Sequence, residues 1–323
     1  MVQGITRDAS FYDNSMLSTY KDCPRKYYLR YQLHWASEGT AIPLVFGLSW
    51  HSGQDIIWAH ARKVGGQQHL AQLATAAFLE TWTGEGMPEQ LDLEQIERLS
   101  PRTPQVAHEM YANYIQQRWG MLVEAQLLAV EQPFAVPIPG MNNTWYVGRL
   151  DKVVEYRGQK LIIEHKTTTA YKKDGGFMSN YVEGWYSDSQ VKGYQFGGGL
   201  YFPGLSQVWV DAALVHKKEH AHFRFIPVAH QFPLLEEWTI DLRNWVERLI
   251  LDRDVGYFPK NENSCMGKFG PCIFNDVCRT TPDSHLGALP PEGFKVEKWQ
   301  PFDLLHLEKL IAGTDEIPPN VPA

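Results

Sequence analysis

Four cysteines are the first residues in this chain whose type and placement suggest chemistry. Cys23 stands alone near the N-terminus, whereas Cys265, Cys272 and Cys278 crowd together near the C-terminus. Cysteines in a reducing cytosol seldom pair as disulfides, so four in this arrangement indicate metal or redox chemistry. One site with all four thiolates would tie the two ends of a folded core together.

A carboxylate and a lysine end an apolar run in the centre of the chain. In KLIIEHKTT, Glu164 and Lys166 are two residues apart, so on a strand they project from the same face. The preceding run contains GRLD, and a hairpin pairing would place its Asp151 beside Glu164. Two carboxylates at one point suit Mg²⁺ or Mn²⁺, and the lysine could orient or deprotonate the attacking water or stabilise charge on a phosphate. The pattern alone is more often a solvated strand face with a cross-strand ion pair.

Two helical patterns could complete such a site. Gly47 and His51 lie one helical turn apart in GLSWH, and imidazole is a ligand that suits Mn²⁺. Gln190 and Tyr194 are also one turn apart, and could hold a nucleotide by phosphate contact or base stacking. Taken singly, His51 is more often a core or surface histidine, and Gln190 and Tyr194 are more often packing residues.

Hydrophobic periodicity predicts a helical N-terminal part, a β-rich centre and a mixed remainder. Residues 83–105 are polar and punctuated by Gly and Pro, so they predict an insertion with at most a short helix. Over residues 281–323 we expect an extended tail around one short helix in PFDLLHLEKL. The periodic stretches predict helices at 15–33, 47–63, 67–82, 105–120, 189–202 and 234–252, and strands at 127–138, 144–156, 160–168, 207–216 and 222–228.

Composition limits the classes of protein to which the chain can belong. Its 323 residues are 44% hydrophobic and 21% charged, which is ordinary for a globular protein. Thirty basic and 37 acidic residues give a net charge of −7, so a nucleic-acid path is expected in a narrow groove and not on a broad basic face. There is no signal-peptide core or long apolar run, which predicts a cytoplasmic protein without a membrane partner. A Walker A pattern is absent, so no ATP-driven motor of that type is expected.

Taken together, these motifs resemble one nuclease family. Gly47-x3-His51, Gly148-x2-Asp151, Glu164-x-Lys166 and Gln190-x3-Tyr194 are similar, in order and separation, to the motifs of the RecB-like branch of the PD-(D/E)XK nuclease superfamily. The cysteines resemble the iron–sulfur subset of that branch, which includes the AddB nuclease domain and the CRISPR-associated adaptation nuclease. Cys-Pro-Arg-Lys-Tyr-Tyr and Gly-Tyr-Phe-Pro, ahead of Cys265, add to the likeness, which spans about residues 15–280.

The resemblance implies roles for the residues that carry it. His51, Asp151 and Glu164 would bind the catalytic Mg²⁺ or Mn²⁺, joined by the backbone carbonyl of His165. Lys166 would be the catalytic lysine, with Asp151 and Glu164 as catalytic carboxylates. Support for the substrate would come from the remaining motif residues, Gln190 and Tyr194.

A 4Fe–4S cluster would be held by the four cysteines. The family usually spaces its last three as Cys-x2-Cys-x5-Cys, whereas this chain has Cys265-x6-Cys272-x5-Cys278. The longer first gap contains glycines and could bulge without moving the sulfurs. Zinc is the alternative, because four thiolates also bind Zn²⁺.

The implied fold is α/β: a restriction-endonuclease-like mixed β-sheet flanked by helices, with a helical N-terminal part and a C-terminal iron–sulfur loop. We expect an N-terminal segment at 1–46, a nuclease core at 47–255 with a helical insertion at about 62–120, a cluster loop at 256–280 and a tail at 281–323. The implied function is metal-dependent hydrolysis of DNA, as an exonuclease on single strands or ends in recombination, repair or replication, alongside a helicase or recombination partner. The alternatives are a non-catalytic DNA-binding or scaffold protein with this fold and, less well matched, an electron-transfer protein.

Overall fold

The computed structural model describes residue 5 and residues 9–39, 41–172, 176–267, 270–287 and 289–299. The chain divides into two compact units. The first comprises Met1–Thr40, Ala135–Gly148 and Phe232–Pro318, and the second comprises Ala41–Phe134, Arg149–Gln231 and Pro319–Ala323. No helix among the described residues is long and apolar enough to cross a membrane.

Ten α-helices and ten strands are present in the part of the chain that the structure describes. The helices are α1 Asn14–Asp22, α2 Pro24–Tyr27, α3 Ile42–His60, α4 Gln67–Gly84, α5 Leu93–Leu99, α6 Pro104–Glu124, α7 Ser179–Gly184, α8 Ser189–Tyr201, α9 Phe232–Val255 and α10 Asn275–Thr280. The strands are β1 Ser10–Asp13, β2 Trp35–Ser37, β3 Gln126–Pro137, β4 Thr144–Tyr156, β5 Gln159–Thr168, β6 Leu205–Leu214, β7 Phe223–Val228, β8 Met266–Gly267, β9 Gly270–Pro271 and β10 Phe294–Val296.

The second unit is built on a mixed sheet. β4 and β5 are antiparallel, β5 and β6 are parallel, and β6 and β7 are antiparallel, while β3 pairs with β4. Arg157 and Gly158 join β4 to β5 with φ of 50° and 76°. A two-residue connection with two positive φ angles is a hairpin turn whose twist matches that of its strands. This turn fixes the register of the two strands that carry the acidic motif residues.

Helices α3, α4 and α6 form an aromatic core in this unit. The Trp50 and Tyr111 rings stack with centroids 4.4 Å apart, and Phe46 and Phe78 meet edge to face. Gly53 is required here, because an added Cβ would lie 2.1 Å from the Tyr111 hydroxyl oxygen. The close packing of α3 against α6 places His51, on the same helix, at a defined position.

Helix α8 packs on the sheet through glycines. A Cβ at Gly197 would lie 2.4 Å from the Phe134 ring, and one at Gly198 would lie 2.9 Å from Ile162. The helix begins after Asp188, whose carboxylate accepts the backbone N–H groups of Gln190 and Val191. Gln190 and Tyr194 are therefore held close to the sheet surface.

The first unit contains the cysteines. β1 pairs in parallel with the part of β4 from Thr144 to Val147, and short two-stranded sheets are formed by β2 with β10 and by β8 with β9. α1 and α9 contact each other through Tyr20 and Trp245, whose ring centroids are 6.4 Å apart. Cys23 interrupts the helical run between α1 and α2, with φ of −159°, because the following Pro24 disfavours a helical conformation at the residue before it.

These observations confirm the predicted α/β class, with a mixed sheet, flanking helices and a helical N-terminal part. The helix predicted over 15–33 is present as α1, α2 and a π-helix at Tyr28–Gln32, and the polar stretch holds only the short α5. The predicted domain boundaries stay a prediction, and the short helix predicted in PFDLLHLEKL lies outside the described residues.

Candidate metal-dependent active site

Adjacent strands β4 and β5 bring Asp151 and Glu164 together. Lys152 pairs with Ile163, so the next residues towards the open end of the hairpin are Asp151 and Glu164. Both carboxylates are buried, with 7% and 2% of each residue exposed. The backbone N–H of His165 donates to Asp151 Oδ2 at 2.8 Å, which fixes that carboxylate across the strand pair.

His51 reaches this carboxylate from α3. Its Nδ1 lies 3.3 Å from Asp151 Oδ2. Burial disfavours the charged imidazolium, but the charge and hydrogen bond of Asp151 outweigh it and raise the pKa of His51. Burial likewise opposes ionisation of Asp151, yet the His51 charge and hydrogen bond hold the pKa of Asp151 well below its usual range. The buried Asp151 and the partly exposed His51 thus form a hydrogen-bonded pair.

Glu164 and Lys166 form the second pair, in which the carboxylate is buried and the ammonium is partly exposed. Lys166 Nζ donates to Glu164 Oε1 at 2.6 Å. Burial and then the nearby Asp151 charge raise the pKa of Glu164 to about 7, although Lys166 opposes the shift. The charge on Asp151 disfavours a second charge on Glu164, so one carboxyl has a lowered pKa and the other a raised one. A divalent cation would relieve the repulsion between them.

Helix α8 contributes the last motif. Gln190 Nε2 donates to Tyr194 Oη at 2.7 Å and lies 3.4 Å from Glu164 Oε1. The Tyr194 ring packs edge to face against Phe134, with centroids 6.1 Å apart. The structure therefore brings Gln190 to the same carboxylate that Lys166 contacts, with Tyr194 directly behind it.

Glu131 is a site residue that the sequence analysis missed. It lies on β3 with φ of 48°, a conformation that non-glycine residues seldom adopt. Carboxylate oxygens of Glu131 and Asp151 and a ring nitrogen of His51 all lie within 4.8 Å of one another. Burial, followed by the Asp151 charge, raises the pKa of Glu131. An acidic residue inside the apolar run LLAVEQPFAVPI is the signal that points to it.

The donor atoms fit a hard divalent cation. Glu131 Oε2 is held by Arg149 Nε at 2.7 Å, but Glu131 Oε1 is buried without a hydrogen-bond partner. Glu164 Oε2 is also buried and unpartnered. Unsatisfied carboxylate oxygens are costly to bury, and oxygens with one imidazole are the donor set that Mg²⁺ or Mn²⁺ takes. Glu164 is not part of the group within 4.8 Å, and its Oε1 is paired with Lys166.

Comparison with known proteins agrees with this geometry. Residues 14–279 match the family model of the PD-(D/E)XK nuclease superfamily. The chain belongs to the PD-(D/E)XK nuclease superfamily. A search of curated proteins found no significant match. Membership in this superfamily fits phosphodiester hydrolysis at a divalent metal, and the match covers both the acidic motifs and the cysteines.

The middle residue of the superfamily's Glu-x-Lys motif is anchored on the opposite face of β5. His165 Nδ1 lies 3.2 Å from Asp211 Oδ2, and the Tyr114 hydroxyl donates to that same oxygen at 2.6 Å. Burial lowers the pKa of His165, which favours a neutral ring. Fully buried side chains thus hold β5 from behind, while the role predicted for the His165 carbonyl stays a prediction.

The four cysteines of this superfamily member line one cavity in the first unit. All four are free thiols, and Cys272 N donates to the Cys265 carbonyl at 2.9 Å. Asn261 N donates to Cys23 Sγ at 3.4 Å. Among the described residues, no three cysteine sulfurs lie within 4.8 Å of one another. Four sulfurs about 2.3 Å from one zinc would be about 3.8 Å apart, so these thiols are not arranged as a closed zinc tetrahedron.

Proposed function

We propose that this protein is a metal-dependent deoxyribonuclease that hydrolyses phosphodiester bonds of DNA with Mg²⁺ or Mn²⁺. The observation that carries the proposal is the group of His51, Glu131 and Asp151 beside the ion pair of Glu164 and Lys166. This arrangement supplies oxygen and imidazole donors for a metal ion. It also places the ammonium of Lys166 two residues from the carboxylate of Glu164. It lies within the region that matches the nuclease superfamily.

We assign the residues to two tasks. Asp151, Glu164, His51 and Glu131 would hold the metal, joined by the His165 carbonyl, and the bound metal would supply Lewis-acid activation of water and phosphate. Lys166 would orient the attacking water and offset negative charge that develops on the phosphate. The carboxylate of Glu164 positions the ammonium of Lys166, because the two atoms of the ion pair are 2.6 Å apart and the glutamate side chain is almost fully buried.

Gln190 and Tyr194 would support the substrate and the site. The Gln190 amide donates to Tyr194 Oη and is close to Glu164 Oε1, so it restrains that oxygen while the other remains available. A substitution of Gln190 would remove its contacts with both Tyr194 and Glu164.

More specifically, we propose that the protein belongs to the RecB-like branch. It would act as an exonuclease on single-stranded DNA or DNA ends in recombination, repair or replication, alongside a helicase or recombination partner. Its support is the order of the four motifs together with one cysteine before them and three after them. A net charge of −7 supports a narrow path for DNA instead of a broad basic face.

We also propose that the cysteines hold a 4Fe–4S cluster. Cys23, Cys265, Cys272 and Cys278 line a single cavity, which supports one shared site. In such a cluster each thiolate would bind a different iron, and all four cysteines are free to do so. Anaerobic purification followed by iron, sulfide and zinc analysis tests this assignment directly.

The test of the nuclease proposal is Lys166→Ala, with Lys160→Ala as its matched control on the same strand. We expect Lys166→Ala to lower cleavage of linear DNA with Mg²⁺ or Mn²⁺ by at least about a hundredfold, because a preorganised charge at the reacting phosphate is lost. Lys160 donates to the Pro203 carbonyl outside this site, and its variant should cut like the parent.

Binding assays with Mn²⁺ and with DNA distinguish a loss of catalysis in Lys166→Ala from a loss of folding. We expect this variant to bind both Mn²⁺ and DNA. Unchanged cleavage by this variant would reject the role of Lys166. A parent protein that binds DNA but cuts neither linear nor circular single- or double-stranded DNA with either metal would indicate a scaffold. Shortening of linear DNA with intact circles would establish exonuclease action.

A further inference from the structure

A row of aromatic side chains leads away from Lys166. The ammonium Nζ lies 5.9 Å from the centre of the Trp185 ring, and the Tyr181 ring meets Trp185 edge to face at 5.8 Å. Phe177 stacks on Tyr181 with centroids 6.0 Å apart and an interplanar angle of 19°. The rings are therefore contiguous from the ion pair of the candidate active site outward.

The row continues where the parallel strands β5 and β6 end. Tyr171 forms an isolated antiparallel bridge with Phe177, and its ring meets His216 edge to face at 4.7 Å. Backbone N–H groups of Lys218 and Glu219 donate to His216 Nδ1, which fixes the imidazole against Tyr171. Ligands of open α/β sheets bind beyond the carboxyl ends of the strands, which is where this part of the row lies.

Two members of this region present ring surface to solvent. Tyr171 is 47% exposed, and Tyr186, which follows Trp185 in a 3₁₀ turn, is also 47% exposed. Phe177 is buried and packs in the interior, whereas Tyr171 and Tyr186 keep enough ring surface exposed to contact a ligand. His230 Nε2 lies 3.0 Å from the Tyr186 carbonyl oxygen, which holds the backbone of that turn.

Charge around the row is mixed. Lys172 adjoins Tyr171, and Lys217 and Lys218 adjoin His216, but exposed Glu183 and Glu219 lie on the same segments. Phosphate contacts alone would therefore provide limited affinity. Aromatic rings bind bases by stacking, without sequence preference, and only unpaired bases offer their faces.

We propose that the exposed rings of Tyr171 and Tyr186, supported by the packed rings between them, stack on the bases of single-stranded DNA and guide the strand to Lys166. The inference rests on the proposed nuclease function and specifies its substrate as an unpaired strand. Duplex DNA hides its base faces and gains little from such a surface.

Fluorescence anisotropy in the Lys166→Ala background tests the surface by binding alone. The probes are a labelled thymidine oligonucleotide, an abasic oligonucleotide of the same length and a blunt duplex of that length. We expect Tyr171→Ala and Tyr186→Ala each to weaken binding of the thymidine strand by about fivefold to a hundredfold, the range for loss of one base–aromatic stack. Binding of the abasic strand and of the duplex should change by less than about twofold.

Matched variants separate the ring from the fold. Tyr171→Phe and Tyr186→Phe keep the stacking face and should bind like the parent. Tyr156 is partly exposed and lies on β4 opposite Gln159, the first residue of β5. Tyr156→Ala should therefore also leave binding unchanged. Circular dichroism melting confirms that each variant remains folded.

Equal losses on the thymidine and abasic strands, or no loss from either alanine variant, would overturn the proposal. Cleavage by the protein with native Lys166 is read separately. If that protein binds as expected but does not cut, the nuclease function fails and the surface stands; if it cuts while the alanine variants bind normally, only the surface fails.

Discussion

Substitution of Glu131 by glutamine should change metal affinity and stability in opposite directions. Glu131 and Asp151 offer oxygens within 4.8 Å of each other. Two unit charges at that distance repel by about 3 kcal/mol at an effective dielectric constant of about 20. The Arg149 ion pair with Glu131, 2.7 Å long, offsets part of this cost, and glutamine would also lose part of that ion pair. The metal-free variant should therefore be more stable than the parent by up to about 3 kcal/mol.

The same change should weaken binding of Mn²⁺ by tenfold or more. Loss of groups that only orient a ligand costs about 10- to 100-fold in affinity, so loss of a ligand should cost at least as much. Calorimetric titration of metal-stripped protein with Mn²⁺ measures the affinity, and scanning calorimetry in chelator measures the stability. Carboxylates that are brought together to bind a metal repel each other when the metal is absent. Removing one of them should therefore lower metal affinity and raise the stability of the metal-free protein.

Glu124→Gln is the matched control for this prediction. Glu124 also pairs with an arginine, Arg157, through an Nε–Oε1 contact of 3.1 Å, but this ion pair is exposed. An exposed pair contributes about 0 to 1 kcal/mol, so the control should alter neither quantity appreciably. If Glu131→Gln destabilises the protein and leaves Mn²⁺ affinity unchanged, Glu131 is a structural partner of Arg149 and not a ligand.

Two further predictions concern pH and the cysteines. Because the pKa of Glu164 is raised to about 7, affinity for Mn²⁺ should fall about tenfold from about pH 8 to about pH 6, with proton release on binding seen by calorimetry. A raised pKa in the folded state also means that metal-free protein loses stability as pH rises from about 4.5 to about 7, and Glu164→Gln should reduce that loss. A Mn²⁺ affinity that does not depend on pH would contradict both predictions. Cys23→Ala in anaerobically prepared protein should lower thermal stability by about 2–4 kcal/mol, the scale for releasing a long closed loop, before it affects cleavage. An unaltered melting curve would show that Cys23 does not link the N-terminal segment to the C-terminal cysteine loop.

Local patterns predicted the elements that carry the site. Glu164 and Lys166 could be placed on one face because the period of a strand is two, and Asp151 could be placed beside them because Arg157-Gly158 marked a hairpin. His51 followed from helical spacing and the glycine one turn before it. These inferences needed only neighbours along the chain or across one turn.

Glu131 and the support of His165 could not be predicted in the same way. Glu131 enters the site because β3 pairs with β4 and because its own backbone adopts a positive φ. Asp211 and Tyr114 reach His165 from β6 and α6, through packing between elements far apart in sequence. The distances between the cysteine sulfurs depend on how their loop folds, and spacing along the chain does not determine them.

The two faces of β5 can be engineered separately. On one face His165 lies against Asp211, whose carboxylate accepts from Tyr114, while Glu164 and Lys166 occupy the other. Substitutions of Lys166 therefore leave the rear anchor intact, and an inactive variant should remain folded. With the catalytic role proposed for Lys166, such a variant would be a reagent for capturing nucleic-acid strands without cutting them.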